Sequence, residues 1–371
     1  MSANEVRSTD TAIATSEGAG LGRRRVAPGR SGLAALGGAA LASLALAAFG
    51  FTQPADSYLL LTGFLFFLFA SQSLAWNLIG GYGGQTSFGH ATFYGIGAYA
   101  TALLSTRAGW PVPLAMLAGA LGAAAFSLLW GYPLFRLRGF YFAIATIGIG
   151  EATRLIALTP LRNLTGGASG YRMPTANTPD RLAQYLAALG LLLATFLVSY
   201  WVRNSALGLG LFALNMDSDA AETLGVDTTR LKAIALALSA CIVGLTGGFY
   251  AWSFRYINPS NIFGFAISIA IVLMAVIGGI GTIIGPLLGA IVYVVIQDQI
   301  GATEVALGGR TILLRDFQTG IYGLLLALII LFEPAGLVGL FRRLGRLFRR
   351  GRGPVDREAA VQGALLHGEE G

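Results

Sequence analysis

Apolar runs of about 17 to 25 residues, each long enough to cross a hydrocarbon core of roughly 30 Å as a helix, recur along nearly the whole chain between short polar or basic connections. They predict helices over about 32–51, 58–79, 88–105, 112–135, 139–158, 182–202, 232–254, 264–280, 283–299 and 317–341. Backbone groups in lipid must be paired internally, so the fold class is an all-α polytopic membrane protein. The count is about ten spans, or eight or nine if the Gly-rich pairs around 80–105 and 264–299 form broken or re-entrant helices. Nothing is left over for a sizeable soluble domain. The chain divides into a polar tail over 1–31, a membrane body over 32–341 and a basic tail over 342–371.

Composition agrees with the pattern: 55% of the 371 residues are hydrophobic, 12% are charged, and the mean hydropathy is +0.67. Basic residues near span ends are retained in the cytoplasm. With the N-terminus inside, 17 of the Arg and Lys residues fall on inner segments against 7 on outer ones, with Arg154 inside a span. Both termini therefore belong in the cytoplasm. The run "GRRRVAPGR" before the first apolar stretch has the look of a cleaved export signal, but the stretch is long enough to stay as an anchor. The tail "FRRLGRLFRRGRGP" directly follows a span, which makes it a retention signal and a lipid headgroup contact rather than a nucleic-acid site.

Several chemistries are excluded. Lys232 is the only lysine and stands between Leu231 and Ala233, so the chain carries no Walker-type ATP site. One cysteine, Cys241, allows no intramolecular disulfide and no Cys-based metal site, and the two histidines, His90 and His367, are far apart. No cofactor and no metal site is expected. Paired carboxylates, or a nucleophile beside its base, do not occur at a catalytic spacing, so the chain is not expected to be an enzyme.

Glycine marks the candidate centre. The stretch "NLIGGYGGQTSFGHATFYGIGAYA" has glycine at positions 80, 81, 83, 84, 89, 95 and 97. In a membrane helix glycine either lets backbones pack closely or permits a break, and a break is tolerated only where freed groups meet protein or water. The polar residues Asn77, Tyr82, Gln85, Thr86, Ser87 and His90 within it are costly against lipid and favour a solute pathway over close packing alone. A second run, "GGIGTIIGPLLGAIVY" from Gly278, repeats the Gly-Gly-x-Gly opening, and in the span count both runs follow an out-to-in helix and precede an in-to-out one. That is a weak sign of the internal repeats transporters show. Pro286 within it adds a break.

The strings "NLIGGYGGQTSFGHATFYGIGAYATALL", "RLRGFYFAIATIGIGEATRL", "LTGGASGY", "DAAETLGVDTTRLKAIALALSACIVGLTGGFYA", "IGGIGTIIGPLLGAIV" and "FEPAGLVGL" together resemble the branched-chain amino-acid ABC importer permeases, the LivH/LivM family, on its LivM-like side. The resemblance runs from about Asn77 to Leu340. It implies a transport subunit driven by separate ATP-binding cassette ATPase subunits, paired with a sister permease as a heterodimer, and fed by an extracytoplasmic solute-binding protein. The solute remains open among branched-chain amino acids, other amino acids, and urea or short amides.

Between spans lies Arg203 to Ala233, assigned to the cytoplasm by charge. Asp217 or Ser218 is suited to cap a short helix there, Gly225 to end it and Thr228 to cap the next. Ala220, Ala221 and Leu224 would share an apolar face fit for a groove on a partner, or for resting on lipid headgroups. The resemblance implies ATPase coupling for Ala220, Ala221 and Gly225, within a coupling loop over 203–232. A basic residue expected near Asn215 is missing from "ALNMDSD", which removes an ion pair to the ATPase at that position. On the outer side, "LRNLTGGASGYRMPTANTPDR" resembles the family's Thr-Gly-Gly segment, where a binding protein would dock. Arg162, Thr165, Gly166, Gly167 and Arg172 are its candidates.

The predicted pathway set is Tyr82, Gln85, Thr86, Ser87 and His90. Glu151 and Arg154, three residues apart in one span, read as a local ion pair, and His90 as a hydrogen-bonding core residue. The alternative reading is an autonomous ion-coupled secondary transporter or channel using Glu151 and His90.

Overall fold

The computed structural model describes residues 30–54, 56–137, 139–174, 180–302, 304–307, 310–313, 317–332, 336–341 and 343. The basic tail beyond Arg343, His367 included, and the polar tail before Arg30 lie outside these residues. Two compact units are distinguished, Met1–Leu41 and Ala42–Gly371. Helix α1, Arg30–Thr52, begins in the first, and the remaining helices belong to the second.

Long helices dominate: α2 (Tyr58–Asn77), α3 (His90–Arg107), α4 (Val112–Leu134), α5 (Phe140–Leu158), α7 (Arg181–Arg203), α10 (Thr228–Phe254), α12 (Phe265–Gly278), α13 (Gly285–Ala302) and α14 (Gln318–Phe332). Each predicted apolar run is helical, so the chain is an all-α polytopic membrane protein. Among the described residues six helical stretches are long and apolar enough to span by themselves: Tyr58–Tyr82, Val112–Leu134, Phe140–Leu158, Arg181–Arg203, Thr228–Phe254 and Pro259–Gly278. Short pieces connect them: α6 (Arg162–Thr165), α8 (Ala206–Met216), α9 (Ser218–Thr223) and α11 (Pro259–Ile262). Among the described residues, sheet is confined to two antiparallel ribbons, β1 (Tyr171–Arg172) with β2 (Tyr256–Ile257), and β3 (Glu304–Leu307) with β4 (Arg310–Leu313). The apolar-run pattern gives no sign of the second ribbon. Pro286 does not break α13. It lies in the helix's first turn, where its missing N–H leaves no intrahelical bond unmade.

Two buried clusters form the interior. One gathers side chains from α3, α4 and α10 with Tyr82, Leu211 and Ala221; the other gathers α2, α7, α12, α13 and α14. With lipid as apolar as leucine, packing rather than the hydrophobic effect joins membrane helices, and small residues permit it. A Cβ on Gly97 would collide with the carbonyl of Gly244, one on Gly247 with that of Tyr94, and one on Gly119 would stand 2.8 Å from that of Gly97. Helices α3, α4 and α10 thus meet backbone to backbone. Helices α12 and α13 do the same through Gly278 against Gly285 and Gly289 against Met274. The close-packing reading of glycine therefore holds for Gly97. Enclosure differs among spans: 72% of the Pro259–Gly278 window is buried against 22% for Phe140–Leu158, which makes α12 central and α5 peripheral.

Substituting Gly97 or Gly247 by valine should therefore separate α3 from α10 and destabilise the purified protein by on the order of 3 kcal/mol. Gly190→Ala, with nothing within 4 Å of the added Cβ, should be neutral or stabilising by about 0.5–1 kcal/mol. Thermal melting in detergent separates the two outcomes.

Candidate functional site

Helix α2 does not end cleanly. Its last turn widens into a π-helix, Leu78–Tyr82, and the chain then runs non-helically to Gly89 before α3 begins at His90. The freed polar groups are taken up by protein. Gln85 N–H donates to Ile79 O at 3.1 Å, and the Trp76 indole donates to Ser87 O at 2.7 Å. Phe88 N–H donates to Thr146 Oγ1 at 3.1 Å and Ala91 N–H to Ser268 Oγ at 3.0 Å. The second Gly-rich run makes the turn between α12 and α13, with Gly279 and Gly281 at φ +124° and +74°, a region L side chains rarely enter.

The two runs meet. Asn77 is fully buried; its Nδ2 donates to Thr282 O at 2.9 Å and its Oδ1 accepts from Gly281 N–H at 2.8 Å. A Cβ on Gly81 would collide with that amide and stand 2.8 Å from Gly281 N. Arg203, the last residue of α7, donates to Gly281 O at 3.1 Å, and Asn215 on α8 donates to Gly81 O at 3.3 Å. The short helix α8 is thus bonded directly to the first glycine break, and the end of α7 to the second.

The predicted pathway residues divide. Tyr82, Ser87 and His90 are buried in protein: the Tyr82 hydroxyl pairs with Ser199 Oγ at 3.0 Å and His90 Nε2 with Ser239 Oγ at 2.9 Å. Gln85 is half-buried and Thr86 exposed at the same end of the bundle. His90 stands as a hydrogen-bonded core residue. Glu151 and Arg154 form a bidentate pair at 2.9 and 2.5 Å on the outside of peripheral α5, and Glu151 retains 50% of its side-chain exposure.

In the loop, Asp217 caps α9, accepting from Asp219 and Ala220 N–H at 2.9 and 3.1 Å, and Gly225 ends it at φ +81°. The next cap is Asp227, which accepts from Arg230 N–H at 2.9 Å, and not Thr228, whose hydroxyl donates to Glu222 at 2.6 Å. The shared apolar face of Ala220, Ala221 and Leu224 does not form. Ala221 points into the first cluster at 3% exposure, while Leu224 is 85% exposed and Ala220 faces outward. Met216, outside the predicted set, is 89% exposed at the end of α8; Asp217 is extended between α8 and α9, so no single helical face in the sequence joins Met216 to Ala220 and Leu224.

At the other end, the Thr-Gly-Gly segment is a shaped support. Thr165 is buried and donates to Ala157 O at 2.6 Å. Gly166, Gly167 and Gly170 all have positive φ, and a Cβ on Gly166 would collide with Gly170 O. Asn258 donates to Ala168 O at 2.8 Å and Arg107 to Asn163 O at 3.1 Å. Gly167 is buried with Thr165, which leaves Arg162, Gly166 and Arg172 of the predicted docking set at the surface.

Between these ends lies a cavity of about 300 Å³ that includes Gln72, Tyr94, Tyr250, Tyr293 and Gln297 in its lining. None of these residues was predicted. They come from four helices with no shared motif, so no local spacing announces them. Glu151 and Arg154, the charged residues of α5, do not line it.

The site is thus an all-α bundle whose helices break at two facing glycine runs, with α8 bonded to one break and the end of α7 to the other. Residues 57–332 match the family described as branched-chain amino acid transport system / permease component, and the chain belongs to it. It is 31% identical over 302 residues to the high-affinity branched-chain amino acid transport system permease protein LivM of Salmonella typhimurium, covering 72% of this chain and 67% of that protein. The LivM protein of Escherichia coli is 30% identical over 301 residues with the same coverage. The LivH protein of Escherichia coli is 24% identical over 301 residues, covering 73% of this chain and 91% of that one. No solved structure matches. The chain is a LivM-like multi-pass protein of the inner membrane.

Asn77→Leu leaves the Gly281 N–H and Thr282 C=O without their partner in a dry site, a loss of about 1–3 kcal/mol for each group. Faster proteolysis between 275 and 285, in a protein that still inserts, is the expected outcome.

Proposed function

We propose that this chain is the transmembrane permease subunit of an ATP-binding-cassette importer for branched-chain or related amino acids. A separate ATPase drives it, a sister permease completes it as a heterodimer, and an extracytoplasmic binding protein delivers the solute. The membrane body spans 32–341, with about ten membrane-inserted helices, both termini in the cytoplasm and the loop over 203–232 facing the ATPase. The observation that carries this reading is the pair of hydrogen bonds from Arg203 and Asn215 to the glycine breaks, in a chain with no Walker-type ATP site of its own.

Mechanically, a force on α8 reaches Gly81 directly through Asn215, and Gly281 through the short Asn204–Ser205 link and Arg203 at the end of α7. The ATPase contact is Met216, Ala220 and Leu224, with Gly225 setting the turn; Ala221 anchors the lever to α10. Tyr82, Gln85, Thr86, Ser87 and His90 form the cytoplasmic end of the path, where their hydrogen-bond partners would change as the breaks rock. Arg162 and Arg172 meet acidic residues of the binding protein, held at their spacing by Thr165, Gly166 and Gly167.

Met216→Asp with Leu224→Asp should abolish co-purification of the ATPase while leaving the melting temperature unchanged, because both side chains are solvent-facing. Ala221→Asp, a charge placed in the interior, should instead destabilise the chain. Retained ATPase association and uptake in the first variant would refute the lever. Separately, Arg162→Glu with Arg172→Glu should weaken binding-protein-dependent uptake by roughly 1 kcal/mol or more, consistent with like-charge contact at a rim, with assembly intact.

A further inference from the structure

The chamber between α2, α3, α10, α12, α13 and α14 is lined by neutral dipoles: Gln72, Tyr94, Tyr250, Tyr293, Gln297 and Tyr322. Among the described residues, no ionised side chain lines it. Gln72 is 2% exposed and its Nε2 donates to Thr246 Oγ1 at 3.1 Å, which fixes the amide at the chamber wall. Gln297 Oε1 is buried and has no hydrogen-bond partner among the described residues. A buried acceptor without a partner is costly, and one that lines a cavity marks a place for a donor. A second cavity of about 320 Å³ shares Leu65, Phe69 and Gln297 with the chamber and reaches the start of α2, where Tyr58 donates to Asp298. The two make one route from the end of the bundle that carries α2's first turn towards its middle, with Gln297 at the junction.

We propose that this chamber receives the solute from the extracytoplasmic side, and that it takes a small, net-neutral zwitterion. The proposal rests on the importer reading. Several small polar groups among apolar walls give orientation to a ligand of this size. An ammonium finds Gln297 Oε1 as an acceptor and tyrosine faces as cation–π partners, while a carboxylate finds phenol and amide donors. Without a fixed charge, neither end of the solute is held tightly enough to stop it leaving, which a conducting site requires. In the chamber itself a solute with net charge meets no compensating ion and is disfavoured; the Asp298 carboxylate lines only the outer cavity, where Tyr58 donates to it.

The test uses the assembled importer with its ATPase, sister permease and binding protein. In a Cys241→Ser background, Gln297→Cys should react with a charged, membrane-impermeant thiol reagent applied to intact cells from outside. Saturating leucine should slow that reaction at least ten-fold, while lysine and glutamate should not. Gln297→Leu should reduce leucine uptake at least ten-fold with binding-protein-stimulated ATP hydrolysis retained. Reaction only with an apolar, permeant maleimide would identify a lipid-filled crevice and overturn the proposal, as would unprotected labelling with normal uptake in Gln297→Leu. If instead the unmodified assembly moves no amino acid on ATP addition, the importer reading fails first and the chamber's role with it.

Discussion

A single carboxamide, that of Asn77, holds the two irregular parts of the bundle together. Where helices break at membrane depth, the liberated N–H and C=O groups have no water to turn to. Asn77 supplies one donor and one acceptor to the turn after α12 while itself belonging to the last turn of α2. Gly81 is small because that amide and the Gly281 N–H occupy the space a side chain would need, and Gly281 is glycine because its φ is +74°. Arg203 at the end of α7 and Asn215 on α8 then bond to the carbonyls of Gly281 and Gly81, so the irregular backbone is also the point where α8 attaches.

Glycine does two separate jobs in this molecule. Along α3, α4 and α10 it brings backbones into contact and makes a unit with little room to move. Around Gly80 to Gly84 and Gly278 to Gly281 it allows φ values and close approaches that let the chain turn. The polar chamber lies against α2, α12 and α13, the helices that begin or end at those turns. The breaks and the chamber walls therefore belong to the same helices, while Gly97, Gly119 and Gly247 hold α3, α4 and α10 in backbone contact.

The ribbon end follows a different logic. Its backbone is irregular but exposed, and it is held by side chain to backbone hydrogen bonds from Thr165, Asn258 and Arg107. Such a loop keeps its shape through local hydrogen bonds with only Thr165 and Gly167 of the Thr-Gly-Gly segment buried. The Glu151–Arg154 pair on α5 shows the same economy: a charge inside an apolar helix is answered by its own neighbour one turn away.

Apolar run length alone determined the helices, because the thickness of the bilayer leaves no other choice of element. Glycine marked the site of the breaks: Gly84, Gly279 and Gly281 adopt positive φ, a region side chains rarely enter. The Asp217 cap and the Gly225 stop were legible because capping is local. What only the tertiary structure decided is whatever depends on contacts across helices: that Ala221 points inward and Met216 outward, that Asn77 joins two segments some two hundred residues apart, and that Gln72, Tyr250 and Gln297 share a chamber. Periodicity fixes which residues share a face of one helix, but lipid and protein interior are equally apolar, so hydropathy carries no signal for which face meets a neighbour, and that was left to packing.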